Sequence, residues 1–131
     1  MGTASAKPTV ALIVEDEFLV RLLAVDIFVE SGFEAIDAAD ADEAMKILES
    51  RRDVGVIFTD IHLPGSIDGL GLAYVVNQRW PSIWILITSA LHYPSDRPLP
   101  AGSVFLAKPY QSLQITGAVQ ALTEASAWGG P

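Results

Sequence analysis

The sequence predicts an α/β protein: an open sheet of five parallel strands with helices packed on both faces. Three observations carry this. Short apolar runs rich in β-branched residues alternate along the chain with longer stretches of helical patterning. The runs are nearly continuous in apolar character, which marks strands covered on both faces. The helical stretches between them supply the crossovers that parallel strands require, and such crossovers are right-handed.

In order, the chain predicts a strand at 9–14, a helix at 18–31, a strand at 33–38 and a helix at 42–50. A strand at 54–59, a helix at 70–79, strands at 83–88 and 103–107 and a helix at 113–125 follow. Gly32 stands where the first helix should stop, since glycine takes the left-handed backbone of a helix C-terminus. Asp40 followed by Glu43 has the spacing of a capping box. Trp80-Pro81 closes the third helix, because the residue before proline avoids helical backbone. The segment from Leu91 to Pro100 holds three prolines, each costing about 3 kcal/mol inside a helix. The helix expected between the last two strands is therefore short or absent. Residues 9–127 are expected to form one domain, with 1–8 and 128–131 as flexible tails.

Composition narrows the function. The 131 residues are half apolar and only 18% charged, enough for a real core and unlike a disordered chain. A formal net charge of −8 with scattered basic residues speaks against nucleic acid as a partner. The absence of cysteine excludes disulfides, thiolate metal sites and a cysteine nucleophile. No apolar run approaches the ~20 residues of a membrane span, and the first residues lack a signal-peptide core. No membrane partner and a cytoplasmic address are expected.

In open parallel sheets, ligands bind beyond the carboxyl ends of the strands. Glu15, Asp16 and Glu17 follow the first strand, Asp60 the third and Lys108-Pro109 the fifth, while Thr88 ends the fourth. Each has an ordinary explanation alone: Asp16 as a helix cap, Thr88 as a strand terminus, Lys108 as a solvated surface group. Together they place an acid pair, an acid, a hydroxyl and a lysine on one edge. Crowded carboxylates invite a hard cation, and Mg²⁺ suits one or two carboxylates with waters and a phosphate oxygen. Lys108 can hold a phosphoryl oxygen as a point charge. A carboxylate can attack a phosphorylated donor and form an acyl phosphate.

The runs Leu-Ile-Val-Glu15-Asp16-Glu17, Ile-Phe-Thr-Asp60-Ile-His62-Leu-Pro64, Ile-Thr88-Ser89 and Phe105-Leu-Ala-Lys108-Pro109 resemble response-regulator receiver domains of two-component signalling. The resemblance extends from Thr9 to Leu122. It implies a flavodoxin-like sheet of order 2-1-3-4-5. It implies Asp60 as phosphoacceptor, with Mg²⁺ held by Asp16, Asp60, Glu15 (directly or through water) and the backbone carbonyl of His62. It implies Thr88 and Phe105 as switch residues, Lys108 as phosphoryl ligand and a cis peptide before Pro109. The chain departs from the commonest family pattern in the loop 64–69, which looks one residue longer, in Ser89, and in the proline-rich segment where the fourth helix usually stands. His62 reads as a loop residue that tunes access to Asp60, with a general-base role as the alternative; His92 reads as a loop surface residue.

The first helix is more apolar than sheet coverage demands. Arg21, Asp26 and Glu30 bound an arc whose middle holds Leu22 and Val29, with Leu19 nearby, so Leu19 and Leu22 are expected to dock the phosphodonor's helices, the alternative being that the tail or a neighbouring helix covers them. The expected function is a single-domain switch in a phosphorelay rather than an enzyme. It would accept a phosphoryl group from a histidine kinase or histidine phosphotransfer protein and signal by binding an output partner or passing the group on, as a monomer or weak homodimer. The alternatives are an aspartate-nucleophile phosphatase, which would want a second Asp where His62 stands, and a degenerate receiver that binds partners without phosphorylation.

Overall fold

The computed structural model describes residues 9–90 and 97–128. Five strands, β1 (Val10–Val14), β2 (Glu34–Ala38), β3 (Val54–Asp60), β4 (Trp84–Ser89) and β5 (Val104–Ala107), form one parallel sheet of order β2-β1-β3-β4-β5. Four helices accompany it: α1 (Phe18–Glu30), α2 (Ala41–Ser50), α3 (Gly69–Arg79) and α4 (Ser112–Trp128). This is the expected flavodoxin-like arrangement.

Side chains of the central strands alternate between two cores, as the pleat requires. Leu12, Val14, Ile57, Ile85 and Ile87 pack under α2 and α3, with Ala44, Leu48, Leu70, Leu72, Ala73 and Val76. Ala11, Ile13, Val56, Phe58 and Leu86 face α1 and α4, with Ala24, Phe28, Ile115 and Val119. Phe28 is fully buried and touches the rings of both Phe33 and Phe58. Truncating such a residue to alanine costs about 3–5 kcal/mol.

Helix ends follow the local chemistry. Gly32 lies at φ +99°, with Gly32 N–H bonded to Val29 O and Phe33 N–H to Phe28 O. That is a Schellman ending, and the Phe28–Phe33 ring contact is its hydrophobic partner. α1 accordingly stops at Glu30, with Ser31 as its cap rather than its last helical residue. Asp40 accepts from Glu43 N–H, and Glu43 reaches back to Ala39 N–H, one residue earlier than a standard capping box. α3 ends at Arg79, with Trp80, the residue before Pro81, as its cap.

One expectation changes. α4 continues to Trp128, so residue 128 belongs to a helix and not to a tail; residues 1–8 and 129–131 lie outside the described residues. The short or absent helix between β4 and β5 falls partly on residues 91–96, with His92, which are also outside them; residues 97–103 are not helical. Over that stretch Leu99 packs against the core under α2 and α3, and Pro100 is buried. Arg97 donates twice to Asp68, at 2.7 and 3.0 Å, and the Tyr74 hydroxyl donates to Pro98 O. Among the described residues, no helix is long and apolar enough to cross a membrane.

Candidate functional site

Strand pairing assembles the site. β3 extends to Asp60, which is therefore its last residue rather than the one beyond it, in register with Thr88 of β4. β4 continues one residue past Thr88, and the buried Ser89 accepts Lys108 N–H through its carbonyl, which delivers Lys108 to the edge just after β5. Glu15 N–H donates to Ala38 O, which extends the β1–β2 pairing by one residue and brings Glu15 to the same edge. The Lys108–Pro109 peptide is cis.

The side chains then converge. Lys108 Nζ donates to Asp60 Oδ2 at 2.7 Å and to Glu15 Oε1 at 2.8 Å. Asp60 Oδ1 accepts His62 N–H at 2.9 Å, so both carboxylate oxygens are held. Glu15 Oε2 accepts Glu17 N–H at 3.1 Å. Glu15 and Asp60 are buried and Lys108 nearly so, which sharpens every charge interaction among them. Burial raises the Glu15 pKa, against the opposing hydrogen bond from Lys108. Burial works against the Lys108 ammonium too, but its bonds to Asp60 and Glu15 outweigh that and raise its pKa.

One ligand atom each from Glu15, Asp16 and Asp60 lies within 4.8 Å of the others, with Asp16 exposed. Mg²⁺ holds oxygens at about 2.0–2.1 Å, so ligands on opposite sides stand about 4 Å apart. A small inward movement or one water closes the cluster around such an ion, and an all-oxygen donor set suits it. Thr88 Oγ1 is buried with no hydrogen-bond partner among the described residues, a costly state that invites an acceptor at this edge.

The loop after Asp60 packs without slack. A Cβ on Gly69 would stand 1.5 Å from the Asp60 carbonyl oxygen, so only glycine lets α3 start this close. Gly69 N–H donates to Ile61 O at 2.7 Å, and Asp68 caps α3 by accepting Gly71 N–H. The Arg97 guanidinium holds Asp68 below the usual carboxylate range.

Glu15, Asp16, Asp60, Thr88 and Lys108 thus meet at one edge. Phe105 lies on β5 opposite Ile87, half-buried against the core under α2 and α3. His62 is exposed, and its N–H is the group that reaches Asp60. Leu19, Leu22 and Val29 are exposed on α1, as are Phe18 and Leu23, which the sequence reading did not single out. Leu23, Ile27, Asp26, Ala90, Lys108 and Tyr110 line a cleft of about 720 Å³ beside the site. Arg21, expected only as a polar residue bounding the apolar arc of α1, has a further role in the structure. It turns inward, donating from Nη1 to Glu15 O and from Nε to Asp37 Oδ2, both at 2.8 Å.

The family model described as the response regulator receiver domain matches residues 11–120. A relative named "Putative response regulator NtrX-like", from Rickettsia felis, is 39% identical over 79 residues, covering 60% of this chain and 16% of the relative. The aerobic respiration control protein ArcA of Escherichia coli K12 is 42% identical over 108 residues, covering 80% of this chain and 44% of the relative. The chain thus spans less than half the length of either. Among solved structures, a CheY-like response regulator receiver domain protein from Methanospirillum hungatei superposes with a TM-score of 0.83 at 22% identity, covering 94% of this chain and all of that one. With the fold, the acidic edge and a match over most of its length, the chain belongs to the response regulator receiver domain family, a signalling module of two-component systems.

Proposed function

We propose that Asp60 is the phosphoacceptor of this receiver, taking a phosphoryl group from a phosphohistidine on a histidine kinase or phosphotransfer protein. The observation that carries the reading is the convergence of Lys108 on both Asp60 and Glu15, with Asp16 completing a carboxylate cluster that fits a divalent cation.

Receiver domains bind Mg²⁺ at such a cluster, and here Glu15, Asp16, Asp60 and the backbone carbonyl of His62 would hold it. Bound there, the ion would neutralise charge on the transferring group and the repulsion between two anions. The chain's own residues do the rest. An Asp60 carboxylate oxygen attacks phosphorus as the bond to the donor's imidazole nitrogen breaks, and the electron pair stays on that nitrogen. Because the other ring nitrogen carries a proton, the donor leaves as neutral imidazole while Asp60 becomes an acyl phosphate. Lys108, already 2.7 Å from Asp60, passes from the carboxylate to a phosphoryl oxygen. Thr88 donates its hydroxyl to another, and the buried oxygen gains the partner it lacks. Phe105 on β5 and Thr88 on β4 would then carry the change outward, to an output partner or the next step of a relay.

The donor would approach over α1, where Phe18, Leu19, Leu22 and Leu23 stand exposed beside a cleft that reaches Lys108. Exposed apolar groups of this density favour a partner's helices over solvent.

Incubating the protein with acetyl phosphate and Mg²⁺ and weighing it intact tests the reading. One added phosphoryl group, lost with Asp60→Asn or with chelator, is expected. Turnover of the donor without an adduct would favour a phosphatase, and no reaction with any donor would favour a receiver that works unphosphorylated.

A further inference from the structure

We infer that Arg21 is a positioning residue for the cation site, acting through the backbone of Glu15 rather than through any ligand atom; the inference rests on the reading of Glu15, Asp16 and Asp60 as that site. The turn between β1 and α1 carries Glu15, Asp16 and Glu17, and its shape decides where two of the three carboxylates point. Among the described residues that turn is held by hydrogen bonds from several elements, Lys108 Nζ to Glu15 Oε1 and Arg21 N–H to Glu17 O among them. Glu15 N–H is tied to Ala38 O, Glu15 Oε2 to Glu17 N–H, and the Glu15 carbonyl to Arg21 Nη1 at 2.8 Å.

Arg21 is itself clamped. Its Nε donates to Asp37 Oδ2 at 2.8 Å, and its guanidinium carbon stands 5.5 Å from the Phe18 ring centroid. The side chain is 15% exposed against 48% for Asp37. A planar fork held at one nitrogen by the end of β2 and over a ring of α1 presents its other nitrogen in a fixed direction. The Glu15 carbonyl meets that nitrogen, so β2, α1 and the β1–α1 turn are fastened at one point. Asp37 offsets the cation's charge, which lets Arg21 brace an acidic site while the Glu15 and Asp60 carboxylates pair with Lys108.

Charge and position make opposite predictions for the loss of Arg21. Removing a positive charge that touches the backbone of a proposed ligand residue should tighten binding of a cation. Removing a brace should weaken it, and outer-shell partners of metal ligands commonly contribute about tenfold or more. Calorimetric titration of the whole chain with MgCl₂ separates the two. Arg21→Met should bind Mg²⁺ about tenfold more weakly. Arg21→Lys keeps the charge but loses the fork, and should weaken binding less. With acetyl phosphate as donor, the Mg²⁺ concentration for half-maximal adduct formation should rise while the rate at saturating Mg²⁺ holds. Thermal unfolding without Mg²⁺ checks that each variant is folded.

Unchanged or tighter Mg²⁺ binding in folded Arg21→Met overturns the inference alone. If that variant does not fold, unchanged affinity in Arg21→Lys overturns it equally. Absence of Mg²⁺ binding by the unsubstituted chain, no different from Asp16→Asn, overturns the cation site itself and this inference with it.

Discussion

On the β1 and β5 side of Asp60, buried charges satisfy one another: Lys108 bonds Asp60 and Glu15, and both oxygens of each carboxylate have a donor. On the β4 side, Thr88 brings a buried hydroxyl with no partner among the described residues, and the sequence that follows is rich in proline. The first flank is closed and pre-organised. Among the described residues the second carries the Arg97–Asp68 pair and the bond from Tyr74 to Pro98. On the proposed function the two flanks divide the labour: one fixes the charges around Asp60, and the other would offer the Thr88 hydroxyl to a phosphoryl group.

The comparison breaks first at Lys108. Lys108→Met leaves two buried carboxylates facing each other, and unfolding in urea without metal should show a loss of about 3 kcal/mol. Mg²⁺ should restore part of that loss, because a ligand that binds only the folded state stabilises it. Gly69→Ala comes next. Its Cβ would meet the Asp60 carbonyl at 1.5 Å, against backbone that cannot rotate away. A cost of about 2–3 kcal/mol is expected, with adduct formation slowed because the phosphoacceptor's own peptide must shift.

The β4 flank should give less, because its Arg97–Asp68 ion pair is exposed to solvent. The Arg97 and Asp68 side chains are 42% and 32% exposed, so solvent screens their attraction, and Arg97→Met should cost no more than about 1 kcal/mol. Asp68 has a lowered pKa, chiefly through its hydrogen bonds from Arg97. The pair therefore stabilises the fold at pH values above the ordinary aspartate range, about 3.9, and that stabilisation disappears as pH falls through the lowered value. Urea midpoints of the two proteins should accordingly differ at neutral pH and converge in acid. Smallest is Leu22→Glu, on a residue 45% exposed: stability should change by no more than about 0.5 kcal/mol, while phosphotransfer from the cognate donor falls. Undiminished transfer would remove α1 from the docking surface.

Much of this was legible in the sequence, for physical reasons. Continuous apolar runs and glycine or proline punctuation dictate strands and helix ends locally, which is why β1, β2 and α2 stand within a residue of their expected bounds. The site was legible because the carboxyl ends of parallel strands converge by topology, so Glu15, Asp16, Asp60, Thr88 and Lys108 could be placed together without coordinates. What stayed hidden depends on long side chains and on contacts between distant segments. Arg21 looked like a polar boundary on α1, and only the spatial approach of Asp37 and the Glu15 carbonyl shows that it turns inward. Arg97 and Asp68 are 29 residues apart and carry no shared motif. Gly69 looked like one more loop glycine until α3 was seen to start against the Asp60 peptide.

The central claim is that Asp60, and no other carboxylate of the cluster, takes the phosphoryl group. Borohydride reduces an aspartyl phosphate to homoserine, which peptide mapping by mass spectrometry can place in the chain. After incubation with acetyl phosphate and Mg²⁺, homoserine is predicted at position 60 alone, absent without Mg²⁺. Conversion at Asp16, a label on another residue, or none despite bound Mg²⁺ would contradict the account.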